Sequence, residues 1–201
     1  MFENLGKNLD LKTELAEYGY DETKISEGKT LFTTAQNAYN NNLTQTREEV
    51  SATKTYQQKY EQTLEAYITH RKKARIVFDE DPQALQTLKL KGKASKIIAT
   101  SIQEMKEFYS VLNTTETLKT AVATLKITAE NITQQLANLT QVEKDYATYL
   151  AEKGESQQAT KDKNKAFAEL EKWVNKFYRV AKIALEDRPQ LLESLGKFIK
   201  S

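Results

Sequence analysis

At 201 residues the chain can bury a substantial core, and its formal net charge of +2 points to no particular class of partner. It contains no Cys, which excludes disulfides, thiol nucleophiles and thiolate metal sites, and only two Pro and six Gly, too few for a turn-rich β protein. The N-terminal residues lack the apolar core of a signal peptide, and no apolar run reaches the roughly 18 residues of a membrane span. We therefore expect an all-helical, soluble protein of the cytoplasm.

The first predicted helix covers residues 9–45. Apolar residues recur there along one stripe, the pattern of an amphipathic helix with one buried face, although Glu22, Lys29 and Gln36 interrupt it. The apolar residues are Leu11, Leu15, Tyr18, Ile25, Phe32, Tyr39 and Leu43. Gly19 and Gly28 each weaken the helix by about 1 kcal/mol relative to Ala. Asp21, in the segment EYGYDET, is suited to begin a new helix, so the pattern does not decide whether this helix is continuous.

A turn at NNNL, residues 40–43, would bring a second helix back against the first. The inward positions of that second helix are Val50, Tyr60, Leu64, Tyr67, Ala74 and Phe78. Pro82 ends it and begins a short helix, because proline lacks the N–H group that first-turn residues leave unpaired. Asp81 is suited to cap the free N–H groups of that short helix.

The second half of the chain repeats these elements with a cleaner pattern. An apolar stripe extends over more than four heptads from Leu118 to Leu150. Asn113, with Glu116 three residues later, is suited to cap the start of this helix. We predict that the helix ends shortly before a turn at Gly154, and that a second helix follows and ends before the second proline.

The two prolines reveal an internal repeat. The segment VFDEDPQALQTL, residues 77–88, resembles ALEDRPQLLESL, residues 184–195, at an offset of 107. Kept without gaps, this offset aligns about 20 identical residues, where roughly 5–8 are expected for unrelated chains of such composition. The identities include the triplets LKT and ATK, which a shared heptad does not explain. We therefore predict two copies, residues 1–94 and 108–201, joined by residues 95–107.

A hairpin of two long amphipathic helices cannot bury its own apolar stripe, whereas two such hairpins packed face to face can. The predicted fold class is therefore all-α. We expect an antiparallel four-helix bundle of two tandem helical-hairpin repeats, with short Pro-initiated flanking helices, forming one domain over residues 1–201.

No combination of residues typical of catalysis, metal binding or cofactor binding is found. His70 is the only histidine, which excludes a di-iron bundle site with its two Glu-x-x-His motifs and a zinc site built on His and Cys. The Gly-Lys pairs lack the second glycine of a phosphate-binding loop. We interpret His70 as a surface residue beside Arg71 and Lys72, and we expect no enzymatic activity and no cofactor.

One segment, residues 70–96, is more basic than its surroundings. It contains eight cations that form a candidate contact for an anion or a partner: Arg71, Lys72, Lys73, Arg75, Lys89, Lys91, Lys93 and Lys96. A solvated helix face is the simpler explanation of such a cluster, and contact with a nucleic acid or another polyanion is the rival one. The corresponding segment of the second half is less basic, so any such contact would belong to the first half.

Two stretches resemble a known group of proteins. RVAKIALEDRPQLLESLGKFIKS, residues 179–201, resembles the ending of a set of small bacterial helical-bundle proteins in which EDxPQLLEKLG-like segments recur. ARIVFDEDPQALQTLKLKGK, residues 74–93, resembles the matching internal segment. The resemblance implies a helical fold and a bacterial source, and it brings no assigned activity and no functional residues.

These observations predict a non-enzymatic interaction or scaffold protein, monomeric or homodimeric, that binds an unknown protein partner through the outer face or the helix ends of the bundle. The alternative is weak binding of a polyanion, such as nucleic acid, through residues 70–96.

Overall fold

The computed structural model describes residues 1–196, and over this part of the chain it consists of eight helices and no strand. The all-helical prediction is confirmed. The last five residues of the second predicted copy, 197–201, lie outside the described part. The helices are α1 (Phe2–Lys7), α2 (Leu9–Glu17), α3 (Glu22–Val77), α4 (Pro82–Thr87), α5 (Ile98–Thr114), α6 (Glu116–Ala123), α7 (Ala129–Ala184) and α8 (Pro189–Ser194).

Two long helices, α3 and α7, dominate the chain, and each has 56 residues. Adding 107 to both bounds of α3 gives both bounds of α7, and the same addition takes α4 to α8. The same offset relates the first residue of α2, Leu9, to the first residue of α6, Glu116. We call two residues 107 apart equivalent positions.

The turns predicted at residues 40–43 and at Gly154 do not form, because both places lie inside the long helices. A single Gly in a helix costs only about 1 kcal/mol relative to Ala, and neighbouring turns of backbone hydrogen bonds outweigh that cost. At residues 40–46 the Thr44 and Thr46 hydroxyls also donate to the carbonyls of Asn40 and Asn42 within the helix. The prediction of two hairpins is therefore wrong. In place of each predicted hairpin, the structure has one long helix, α3 or α7.

The sequence left open whether the first predicted helix is continuous, and the structure divides it into α2 and α3. Asp21 caps the start of α3, because its carboxylate accepts from the backbone N–H of Lys24 over 2.8 Å. The corresponding break in the second half was missed: the helix predicted to start at Asn113 is divided into the end of α5, α6 and α7. Thr128 and Asn131 cap α7 reciprocally, with hydrogen bonds of 3.2 and 3.0 Å between each side chain and the other residue's N–H.

Both prolines begin short helices, as predicted. Asp81 caps α4, because its carboxylate accepts from the N–H groups of Gln83 and Ala84 at 3.0 and 2.9 Å. The equivalent residue before α8 is Arg188, whose side chain makes no capping hydrogen bond within residues 1–196. A proline at the first helical position thus suffices to start the second of these helices.

The chain divides into two compact units. Unit 1 comprises Met1–Thr46 and the described part of Glu155–Ser201, and unit 2 comprises Arg47–Gly154. The buried core of unit 1 is formed by Leu5, Leu11, Leu15, Tyr20, Trp173, Phe177, Ala181, Leu185, Leu192 and Leu195. Unit 1 therefore combines α1, α2, the first part of α3, the last part of α7, and α8.

Unit 2 has its own core, which includes Tyr56, Tyr67, Ala74, Phe78, Leu88, Met105, Phe108, Tyr109, Leu112, Val122, Ile127, Ile132, Leu139 and Val142. It combines α5, α6, the first part of α7, the last part of α3, and α4. Every element of unit 1 thus has an equivalent in unit 2. At the offset of 107, residues 98–107, the first ten residues of α5, align with positions before Met1, so the comparison of the two units starts at Phe108.

Candidate interaction surface

Some apolar positions of unit 1 are more exposed than their equivalents in unit 2. Leu139 in unit 2 is 1% exposed, whereas its equivalent in unit 1, Phe32, is 48% exposed. Tyr67 is fully buried, while its equivalent, Val174, is only half-buried. Unit 1 therefore has an uncovered apolar surface at a place where unit 2 has core.

In unit 2, α5 covers this place. The ring of Phe108 packs edge-on against Tyr67, with centroids 5.4 Å apart, and the Tyr109 hydroxyl lies 2.9 Å from Nδ1 of His70 on α3. On the other side, Lys106 Nζ lies 2.8 Å from the carboxylate of Glu143 on α7. The α5 helix is thus held against both long-helix segments of its unit.

In unit 1, three exposed aromatic side chains and two half-buried aliphatic ones form one surface, which we call the aromatic face. It consists of Phe32 and Tyr39 on α3 and Phe167, Leu170 and Val174 on α7. Residues seven apart on α3, and three and four apart on α7, lie on one side of each helix. Tyr39 and Phe167 join the two helices, since their ring centroids are 6.5 Å apart, and both are nearly half exposed.

Beneath this face lies an aromatic cluster centred on Trp173. The indole stacks on Phe177 with centroids 5.4 Å apart and planes 5° apart, and Tyr20 packs edge-on against both rings. Phe2, the equivalent of Tyr109, contacts Trp173 and also the edge of Phe32. The face therefore lies over a packed floor, and its own side chains are the uncovered layer.

A buried polar group bounds the face at its far end. Asn42 is 7% exposed, donates to Thr160 Oγ1 over 2.9 Å, and accepts from Lys163 Nζ over 3.0 Å. The equivalents of Asn42 and Lys163 in unit 2 are Tyr149 and Tyr56, whose rings stack with centroids 5.6 Å apart. Asn42 and Lys163 are thus joined by a hydrogen bond in unit 1, whereas the equivalent pair in unit 2, Tyr149 and Tyr56, forms an aromatic stack.

At the opposite end, a cavity of about 740 Å³ lies among α1, α2 and the start of α3. Ile25 and Lys29 of α3 line it, two turns and one turn before Phe32 respectively, and Leu15 and Tyr20 form part of its apolar wall. The Tyr20 hydroxyl is buried without a hydrogen-bond partner among the described residues, and burial raises the pKa of that hydroxyl. The cavity thus ends on α3 one turn before the aromatic face begins, with the charged Lys29 between them.

Two of the eight predicted contact cations make hydrogen bonds within the fold, and one of the two, Arg71, is buried. Arg71 is 6% exposed, and its guanidinium donates to the Tyr67 hydroxyl over 2.8 Å and to the Lys91 carbonyl over 3.3 Å. Arg75 donates to the Leu90 carbonyl over 2.6 Å and to the Gly92 carbonyl. These two arginines fasten the segment after α4 to α3, so Arg71 offers no charge to a partner at the surface.

The other six predicted cations remain at or near the surface. Lys73 is half-buried, and Lys72, Lys89, Lys91, Lys93 and Lys96 are exposed. Lys89 donates to the carboxylate of Glu107, and this hydrogen bond raises the pKa of Lys89 and lowers the pKa of Glu107. The structure therefore leaves a group of exposed lysines on the segment after α4.

His70 is not the surface residue that the sequence suggested. It is half-buried between α3 and α5 and shares a hydrogen bond with the buried Tyr109 hydroxyl. Burial, and then the charge of Lys73, lower the pKa of this imidazole. Within residues 1–196, no group of three or more acidic or histidine side chains is arranged to hold a metal ion.

The aromatic face was missed by sequence reasoning, which placed Phe32 and Tyr39 in the core because they fit the apolar stripe. Val50 and Leu43, also assigned inward, are exposed as well. The offset of 107 would have paired Phe32 with Leu139, but no pattern in the sequence indicates that only one of them is covered.

No protein-family model, curated protein or solved structure matches the chain. In the part of the chain that the structure describes, no helix has an apolar stretch long enough to cross a bilayer. The bacterial source implied by the resemblance stays a prediction.

Proposed function

We propose that the protein is a non-enzymatic helical interaction protein and that the aromatic face of unit 1 is its partner-binding surface. The observation that carries this proposal is the pair Leu139 and Phe32, equivalent residues of which one is buried and the other is 48% exposed. Contiguous exposed apolar side chains on a monomer are typical of protein interaction sites. Three aromatic rings among them favour binding further, because Phe and Tyr bring large contact areas with few rotatable bonds.

The proposal includes an origin by duplication, with residues 1–94 and 108–201 as the two copies. The common bounds of α3 and α7, and of α4 and α8, support it. In this account, each unit contains the first part of the long helix of one copy and the last part of the long helix of the other copy. A four-helix bundle would then form within a single unit, where α5 and its neighbours pack against two long-helix segments. A cytoplasmic location also belongs to this proposal.

Site-specific photo-crosslinking tests the function directly. A photoreactive amino acid at Tyr39 lies on the aromatic face, and the matched control is the same amino acid at the exposed Thr34, about 140° away around α3. In extract from the source cells we expect a discrete cross-linked protein from position 39 and none from position 34. Equal products from both positions, or none from either, would count against this surface.

Weak polyanion binding remains the second candidate, and the exposed Lys72, Lys91, Lys93 and Lys96 are the observation that favours it. Phosphate neutralisation by such lysines gives binding that weakens steeply with salt. Replacing these four by Gln should abolish low-salt retention of a DNA duplex if this function is present. Unmodified protein that shows no retention at low salt would end the proposal.

A further inference from the structure

We propose that a group of tyrosines in unit 2 is a site of oxidative modification, at which a one-electron oxidant joins Tyr56 of α3 to Tyr146 of α7 through a dityrosine bond. This inference goes beyond the proposed function and does not depend on the aromatic face. It rests on how many tyrosine rings the fold brings together, on the distances between them, and on the exposure and charge around each ring.

Four of the ten tyrosines of the chain meet in unit 2 and form what we call the tyrosine cluster: Tyr56 and Tyr60 on α3, and Tyr146 and Tyr149 on α7. Tyr56 lies at its centre. The Tyr56 ring centroid is 5.0 Å from that of Tyr146, 5.6 Å from that of Tyr149 and 5.8 Å from that of Tyr60. Because the Tyr56 and Tyr146 rings are the closest pair, rotation of these two side chains can bring their edge carbons together.

The equivalent positions in unit 1 hold a single tyrosine. Tyr39 is the equivalent of Tyr146, and the equivalents of the other three are Lys163, Phe167 and Asn42. The ring beside Tyr39 is that of Phe167, with centroids 6.5 Å apart, and a phenylalanine has no hydroxyl from which a phenoxyl radical can form. Unit 1 therefore provides an internal control that lacks the tyrosine cluster.

Exposure and charge indicate which ring reacts first. Tyr56 is 3% exposed, and burial raises the pKa of its hydroxyl, so Tyr56 is shielded from an oxidant and keeps its proton. Tyr146 and Tyr149 are both half-buried, and their exposed parts can meet an oxidant in solution. Lys153 Nζ, however, lies 5.7 Å from the Tyr149 ring centroid, and a positive charge there makes removal of an electron from Tyr149 harder. We therefore expect Tyr146 to be oxidised first.

The coupling balances in electrons and protons. The oxidant takes one electron from the Tyr146 phenol, and the hydroxyl proton goes to water. The Tyr56 hydroxyl, which has no hydrogen-bond partner among the described residues, then gives its electron and proton to the Tyr146 radical. A second oxidant removes an electron from Tyr146 again, with loss of its proton to water. The two radicals bond through the carbons next to their C–O carbons, and the two ring protons there move to the oxygens, so two phenols lose two electrons and two protons.

A second contact between tyrosines shows why the tyrosine cluster is the reactive one. The centroids of Tyr67 and Tyr109 are 6.3 Å apart, but these residues are only 1% and 0% exposed. Their hydroxyls are also occupied, because Arg71 donates to Tyr67 and His70 shares a hydrogen bond with Tyr109. We therefore expect no coupling between Tyr67 and Tyr109 in the folded protein.

The dityrosine bond has a structural consequence. It would fasten the last part of α3 to the first part of α7 within unit 2, between residues far apart in the chain. A covalent link of this kind restricts the unfolded chain and thereby favours the folded state. One-electron oxidation would thus strengthen the core of unit 2.

The test is brief photo-oxidation of the purified protein by a ruthenium tris-bipyridyl complex, with persulfate as the electron acceptor. Trypsin releases Tyr56 in residues 55–59 and Tyr146 in residues 145–153. We expect mass spectrometry of the monomer fraction to find these two peptides joined, at a mass two hydrogens below their sum, with the fluorescence of dityrosine. The yield should not change when the protein is diluted before illumination, because the reaction is intramolecular.

Single Tyr→Phe variants assign the bond, because they keep the ring and remove the hydroxyl. Tyr56→Phe and Tyr146→Phe should each abolish the joined peptide. Tyr149→Phe and Tyr39→Phe are the matched controls and should leave its yield unchanged. Tyr56→Phe is expected to fold, since it removes a buried hydroxyl that has no hydrogen-bond partner among the described residues.

Several results would overturn the inference. The first is an oxidised monomer in which residues 55–59 and 145–153 are not joined, or in which residues 55–59 are joined mainly to residues 60–71. The second is a joined peptide that persists in Tyr146→Phe. The third is an equal yield of the joined peptide from protein unfolded in urea, because the fold would then not be responsible for the coupling.

Discussion

The indole of Trp173 lies where a side chain at position 28 would be. A Cβ atom built on Gly28 would overlap the ring atoms Cη2 and Cζ2 of Trp173. This close approach of α3 and α7 in unit 1 sets the floor of the aromatic face.

This contact predicts whether replacing Gly28 by Ala stabilises or destabilises the protein. In an exposed helix interior, Gly→Ala stabilises by about 1 kcal/mol. Gly28→Ala should instead lower the free energy of unfolding by about 1–3 kcal/mol, because the indole ring must shift within a packed cluster. Gly154→Ala is the matched control, since no described atom lies within 4 Å of a Cβ there, and it should stabilise. Urea unfolding of both variants checks the pair; a stabilising Gly28→Ala would show that the ring is not where we describe it.

The positive φ of Lys126 predicts that its replacement by Gly stabilises the protein. Its φ is +61°, and its equivalent, Gly19, has φ +83° in the same helix-ending turn. A side chain in the left-handed region costs about 1–2 kcal/mol, partly offset by the larger unfolded-state entropy of Gly. Lys126→Gly should therefore raise the free energy of unfolding by about 0.5–1 kcal/mol, and Gly19→Ala should lower it. Thermal unfolding measures both, and a destabilised Lys126→Gly variant would contradict the assigned turn.

Arg71 and Lys72 are adjacent cations with different predicted roles. Arg71→Met removes buried donors from the Tyr67 hydroxyl and the Lys91 carbonyl, so we expect a loss of about 2 kcal/mol in unfolding free energy. Lys72→Met alters an exposed side chain and should change stability by less than about 0.5 kcal/mol. Denaturant titration distinguishes them. Equal effects from the two substitutions would mean that Arg71 does not fasten the segment after α4.

His70 predicts a pH dependence of stability. Its pKa in the folded protein is below the usual 6.5 because burial disfavours the imidazolium, and only neutral His70 can accept a hydrogen bond at Nδ1 from Tyr109. As pH falls below about 6.5, the unfolded chain gains a proton that the folded one resists, so stability falls until the folded pKa is reached. The melting temperature should therefore drop more between about pH 7 and pH 5 in the wild type than in His70→Gln. If the melting temperatures of the wild type and of His70→Gln fall equally between about pH 7 and pH 5, the titration of His70 does not contribute to the pH dependence of stability.

Much of the local structure could be predicted from sequence because it depends on neighbouring residues. Asp21, Asp81 and the two prolines begin helices through backbone groups within four residues of themselves. The 107-residue offset, found from the prolines, is the offset between the bounds of α3 and α7. Helix class and several boundaries could therefore be inferred without knowledge of the tertiary packing.

The turns and the site could not be predicted, for a different physical reason. Gly154 was assigned to a turn on local propensity, but packing along a long helix overrides a penalty of about 1 kcal/mol. Phe32 fits the apolar stripe as well as Leu139 does, yet Leu139 is buried and Phe32 is 48% exposed. Burial of a stripe position depends on what packs against it from elsewhere in the fold, and no periodicity within α3 or α7 reports that.

The measurement that tests the account most directly compares Phe32→Ala with Leu139→Ala in equilibrium unfolding. Leu139 is buried, so its truncation should cost about 2–4 kcal/mol, including the cavity left behind. Phe32 is 48% exposed, so its truncation should cost about 1 kcal/mol or less. This large difference at equivalent positions is what an uncovered face in unit 1 predicts. A Phe32→Ala variant destabilised as much as Leu139→Ala would show that the face is already covered, and it would contradict the proposed site.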